Sequence, residues 1–260
     1  MNLAEAAVLA LSGAAAGAIN AVAGGGTLIS FPAAVALGLS PLVANATNAV
    51  ALTPGSVASA FGYRREIEQD RAVLRLFLPP AAIGAAIGSV LLLVTPQRVF
   101  DTIVPGLVLF ATALLLHQNL RKKKAAASDA KDAWNLPENP RVSQLLQLAV
   151  GVYGGYFGAG MGIMMLAILD RTGGTNIHRM NGVKSVLGAT INAIAAVAFV
   201  IAGAIDYRAA AVLAVGAIAG GLLGAEGARR VDPRKVRWGV VAIGFALSVT
   251  LAYKRWASTG

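Results

Sequence analysis

The 260-residue sequence contains no cysteine, which excludes disulfides, thiolate nucleophiles and cysteine-ligated metal sites. Histidine is nearly as scarce: His117 and His178 are the two present, too few for a histidine-rich metal centre. Charge is depleted as well. Asp, Glu, Lys and Arg make up 13% of the chain, where a soluble domain carries about 25%. The acidic residues number 12 against 22 basic ones, a formal net charge of +10. Such an excess can mark a nucleic-acid binder, but here the basic residues gather in loops between apolar runs, the pattern that orients membrane proteins. Nucleic acid is therefore excluded as a partner. No G-x-x-x-x-G-K-[ST] loop is present, so the chain has no phosphate cradle of that kind. No paired carboxylates or metal-ligand cluster lie within the apolar runs, which argues against an enzyme; no cofactor is expected. The first apolar stretch lacks a preceding basic region and reads as a membrane segment, not a cleaved signal.

What the sequence does have is length without charge. Residues 76–94, 142–169, 209–225 and 238–253 carry no charged side chain at all. Mean hydropathy is +0.68 and 57% of residues are hydrophobic. Uncharged apolar runs of about 18 residues or more read as transmembrane helices. The expected fold class is an all-α polytopic membrane protein, multi-pass in a bacterial inner membrane.

The most polar stretch, "RKKKAAASDAKDAWNLPENPR" at 121–141, divides two halves that echo each other. Gly24 and Gly26 lie 134 positions before Gly158 and Gly160; Asn45 and Asn48 lie 136 before Asn181 and Lys184; "TPQRV" at 95–99 matches "DPRKV" at 232–236. The reading is a duplication: a first transmembrane repeat over 1–120, a cytoplasmic basic linker over 121–141, and a second repeat over 142–260. Each half divides into five hydrophobic segments, about 3–23, 26–38, 42–62, 72–94 and 99–118, then 142–158, 161–170, 180–204, 208–228 and 237–254. The second segment in each half is short. Thirteen residues rise about 20 Å, less than the roughly 30 Å hydrocarbon core. Each is read as a half-helix forming a re-entrant hairpin with the segment before it.

Loop charge supports that count. If each glycine break reverses the chain, one face receives Arg64, Arg65 and Arg71, six basic residues in 121–141, Arg171, Arg179 and five in 229–237, which is 16. The other receives Arg98, Arg208, Lys254 and Arg255. Eight plain spans divide the same residues 12 to 8, a weaker bias. The reversing model places both termini outside. Its odd count per half makes the repeats inverted, a common transporter plan.

The breaks themselves are "AINAVAGGGTLISFP" at 18–32 and "YFGAGMG" at 156–162. A broken membrane helix frees backbone N–H groups, which survive only inside protein or beside water. Glycine lets the chain turn sharply there. The half-helix that follows aims its positive N-terminal end inward, where it attracts anions. Close helix packing by small residues is the plainer explanation of any one glycine cluster; two matching breaks favour an anion site. The expected lining is Asn20, Gly24, Gly25, Gly26, Thr27, Thr47, Asn48, Gly158, Gly160, Gly162, Asn181 and Lys184. Lys184 is the most unusual charge, lying inside a span at the position that aligns with the neutral Asn48; a membrane-embedded lysine is a functional candidate unless it snorkels to the interface. Glu226 near Arg229 and Arg230, Asp170 beside Arg171, and Asp101 near Arg98 read as interfacial pairs.

The first-half stretch resembles the first repeat of the TauE/SafE family of sulfite and sulfoacetate exporters, also called the toluene sulfonate uptake permease family. The matching elements are the glycine run Gly24–Gly26, then Pro32, Pro41 and Ala46-Thr47-Asn48. In the second half they are Gly158, Gly160, Gly162 and the lysine-bearing helix with Lys184. Ala159 departs from a region often richer in glycine. The resemblance implies an inner-membrane transporter of sulfite, sulfoacetate or related sulfonates, read here as an exporter working by alternating access. Proton or sodium is a candidate coupling ion and a homo-oligomer a candidate assembly. The alternatives are an anion channel or an uptake permease for other small organic anions.

Overall fold

The computed structural model describes residues 1–120, 134, 139–174, 176–227, 238–243 and 245–246. Most of the basic linker, most of the final apolar segment, and Arg229 and Arg230 lie outside them. Among the described residues these helices are defined: α1 (Leu3–Val22), α2 (Thr27–Ala36), α3 (Pro41–Gly62), α4 (Arg64–Ile67), α5 (Arg71–Val94), α6 (Gln97–Leu120), α7 (Pro140–Tyr156), α8 (Met161–Arg171), α9 (Ile177–Ile201) and α10 (Tyr207–Gly227). Residues 238–243 are also helical. No strand occurs among the described residues. A chain this apolar satisfies its backbone within each segment, as lipid demands. Among the described residues, five helices are long and apolar enough to cross a bilayer: α1, α5, residues 97–118 of α6, α9 and α10. The protein is an all-α polytopic membrane protein.

Helix contacts are set by glycines. A Cβ on Gly216 or Gly220 of α10 would lie 2.0 Å from Ala10 O or 1.9 Å from Ala14 O, so α1 and α10 touch backbone to backbone. The same happens between α5 and α7, where a Cβ on Gly88 would lie 2.0 Å from Val152 O. Both are close small-residue contacts, which replace the hydrophobic drive that lipid removes. Both pairs run parallel, because Gly13 faces Leu213 and Gly224 faces Ala18, while Gly84 faces Leu148 and Gly88 faces Val152. The first helix of each half thus packs on the α10 or α5 of the other half. At the centre α3 and α9 cross antiparallel. Ser59 Oγ meets Ser185 Oγ at 2.9 Å, and nearer the other end Thr47 Oγ1 accepts from Asp206 N, just beyond α9, at 2.9 Å.

One face of the bundle is tied by charge. The buried Asp70 carboxylate, before α5, accepts from the Arg179 guanidinium at the start of α9, at 2.9 Å from Nε and also from Nη2. Trp134 lies beside Arg179 and donates its indole N–H to Thr172 O at the end of α8. The start of α5, the end of α8 and the start of α9 therefore share this face. Because α7 runs parallel to α5, the α7–α8 hairpin enters and leaves there. By the same tracing, α1–α2 enters and leaves by the opposite face.

Candidate functional site

Both breaks are made by glycine in left-handed backbone. Gly24 and Gly25 have φ of 77° and 92°, and Gly158 and Gly160 both have 76°, values that favour glycine because other residues meet their own Cβ. Ala159, the departure from a glycine-rich pattern, sits fully buried between two such glycines, and its carbonyl accepts from Tyr153 Oη at 2.7 Å. The two breaks meet: a Cβ on Gly24 would lie 3.1 Å from Gly162 Cα, and one on Gly162 would lie 3.2 Å from Gly24 Cα. The N-termini of α2 and α8 are thereby brought side by side in the protein interior.

Breaking α1 also leaves carbonyls without partners, and α9 supplies them. Lys184 is 4% exposed. Its Nζ donates to Ala21 O at 3.3 Å and to Asn181 Oδ1 at 2.8 Å, while Asn181 Nδ2 donates to Val22 O at 3.4 Å. A cation at a helix C-terminus complements the dipole. Lys184 therefore does not snorkel to the interface: it holds the broken end of α1, and its stem runs past Gly162. On the N-terminal side of the break, Asn20 Oδ1 accepts from Gly26 N at 2.8 Å. The amides of Leu28 and Ile29 bond back to Gly25 O and Gly26 O.

A cavity of about 30 Å³ opens at this junction, more than the roughly 10–15 Å³ that one water needs. Seven of the expected residues line it: Asn20, Gly24, Gly25, Thr27, Gly158, Gly162 and Lys184. Asn181 stands behind Lys184 as its hydrogen-bond partner. The other four go elsewhere. Gly26 packs on Ala16 of α1 and Gly160 on Ala111 of α6. Thr47 bonds the amide of Asp206. Asn48 lines a separate cavity. Ser56, Ser59, Ser185 and Gly188 also line the first cavity. The sequence signal for them was their place on α3 and α9, from the position beside Lys184 for Ser185 to about three turns beyond Asn48 for Ser59, and apolar patterning hides lone serines. Asp170 and Glu226 are exposed; the arginines expected beside Glu226 lie outside the described residues. Among the described residues no group of three His, Asp or Glu could hold a metal ion.

The sequence model of the family described as sulfite exporter TauE/SafE matches residues 9–251. Among curated proteins, a "Probable membrane transporter protein" of Haemophilus influenzae is 26% identical over 252 residues, covering 95% of this chain and 94% of its own. The "Probable membrane transporter protein YfcA" of Escherichia coli K12 is 25% identical, covering 92% and 86%. The "Probable membrane transporter protein ORF9" of a Sinorhizobium species is 25% identical, covering 91% and 88%. No solved structure matches the chain.

Proposed function

The chain belongs to the sulfite exporter TauE/SafE family and is a membrane transporter; from that premise and the geometry of the two breaks, we propose that it carries small sulfur oxyanions, such as sulfite, sulfoacetate or related sulfonates, out across the bacterial inner membrane. The observation that carries this reading is the buried Lys184 lining a cavity walled by the N-terminal ends of two broken helices. Positive charge and helix N-termini both favour a negative solute there. In a low-dielectric interior their attraction is far stronger than in water. Asn20, Thr27 and the glycines at the breaks contribute neutral contacts close to the backbone, and Asn181 orients Lys184.

We read the halves as inverted repeats that exchange shapes during alternating access. The antiparallel crossing of α3 and α9, and the reciprocal packing of α1 on α10 and α7 on α5, support this reading. The narrowness of the cavity favours a gated transporter over an open channel. Flux from proteoliposomes tests the proposal, using labelled sulfite, taurine, sulfoacetate and acetate with and without a proton or sodium gradient. Sulfite and sulfonates are expected to exchange and to accumulate against their own gradient. Transport of acetate in preference to every sulfur anion would refute the substrate class, and flux that never exceeds equilibrium would indicate a channel.

A further inference from the structure

We propose that the chain holds a second, uncharged anion subsite at Asn48, separate from the Lys184 cavity and joined to it at the glycine breaks; this rests on the transport reading above. Asn48 is 1% exposed. Neither its Nδ2 nor its Oδ1 has a hydrogen-bond partner among the described residues. The side chain lines a cavity of about 10 Å³ together with Asn45, Asn192, Thr27 and Gly158. Thr27 and Gly158 also line the Lys184 cavity, so the two spaces share a wall.

The same parts build both cavities, taken from opposite halves. An offset of 136 carries Asn45 onto Asn181, Asn48 onto Lys184 and Ser56 onto Asn192; an offset of 134 carries Val22 onto Tyr156 and Gly24 onto Gly158. The hydrogen bonds follow the offsets. Asn181 Nδ2 donates to Val22 O, and Asn45 Nδ2 donates to Tyr156 O at 2.9 Å. At the next position the halves differ. Lys184 is long enough to reach both Asn181 and the end of α1, whereas the shorter Asn48 reaches no partner, and its amide is left facing the cavity. A buried unpaired amide is unfavourable unless something occupies it.

The chemistry of the two sites then divides. Lys184 offers an anion a full positive charge, whereas Asn48 offers a neutral donor that lacks this Coulomb attraction and so holds the anion less strongly. A transport pathway needs a site that captures and a site that releases. In the conformation described, the Asn48 cavity holds a single water at most. Exchange of shape between the halves enlarges it and shrinks its counterpart, so the anion leaves Lys184 for Asn48.

The test compares equilibrium binding of radiolabelled sulfite to purified protein with sulfite exchange across proteoliposomes. Asn48→Leu removes the unpaired amide without adding charge. It is expected to bind sulfite within about twofold of the unaltered protein while exchange falls about tenfold or more. Asn48→Asp is expected to slow exchange at least as strongly, because like charges repel. Exchange at the unaltered rate in both variants overturns the subsite. Loss of binding in step with exchange also overturns it, by merging Asn48 into the Lys184 site. If Asn48→Leu is not recovered monodisperse, Asn192→Leu from the facing wall takes its place, with the same retained binding and slowed exchange expected and the same results overturning the subsite. Should the unaltered protein neither bind nor exchange any sulfur anion, it is the transport reading that fails.

Discussion

Lys184→Met separates two roles that the geometry assigns to one side chain. Methionine keeps much of the length and the apolar stem but removes Nζ, and with it the bonds to Ala21 O and Asn181 Oδ1. Hydrogen bonds to charged groups contribute about 1.5–3 kcal/mol each. Asn181 keeps its own bond to Val22 O, so the end of α1 stays partly held. The expected loss of stability without anion is about 3–4 kcal/mol, the low end of the two-bond sum. The second role is anion binding. Removing one charge-assisted contact to an oxyanion weakens binding by about 1.5–3 kcal/mol, which is roughly a tenfold to hundredfold rise in Kd. Melting in detergent with and without sulfite reads both. Ligand at one hundred times Kd stabilises a folded protein by about 2.7 kcal/mol. At that same concentration the variant is expected to melt lower without anion and to gain little from adding it. Lys184→Arg, which keeps the charge in a planar fork, is expected to recover stability more fully than transport. If Lys184→Met melts lower but transports with unchanged apparent affinity, the lysine only caps α1 and the anion site must lie elsewhere.

Two further outcomes follow from packing and charge. Gly220→Ala would drive a Cβ to 1.9 Å from Ala14 O; it is expected to lower stability by at least the 1–3 kcal/mol typical of overpacking, whereas Gly106→Ala, with nothing within 4 Å, leaves the melting point unchanged or slightly raised, as detergent melting of both would show. Asp70→Asn is expected to destabilise by about 3 kcal/mol, the low end for breaking a buried ion pair, because Arg179 is partly exposed. The double variant Asp70→Leu/Arg179→Met should regain much of that loss, and a double loss equal to the sum of those of Asp70→Leu and Arg179→Met alone would show that the pair contributes nothing beyond its separate members.

Much of the fold was legible because lipid imposes one rule, that backbone groups be satisfied inside each helix. The expected segments 3–23, 26–38, 42–62 and 72–94 became Leu3–Val22, Thr27–Ala36, Pro41–Gly62 and Arg71–Val94. Gly24–Gly26 and 156–162 stood out as breaks because three glycines or a G-x-G-x-G spacing contradict the apolar runs around them. The short helix Arg64–Ile67 was invisible among loop charges. Asp70 and Arg179 are 109 residues apart, and nothing in their neighbours marks them as a pair.

By itself the sequence determined that the chain lives in a bilayer, where its helices break, and which lysine stands where lipid forbids one; composition and periodicity are local and lipid reads them directly. Only the tertiary structure decided that Lys184 turns to the end of α1 instead of to water, that Gly24 meets Gly162, and that Asn48 faces a cavity apart from the lysine's. Those facts depend on which helices cross and at what height, and that is set by backbone contacts between glycines more than 60 and up to about 200 residues apart.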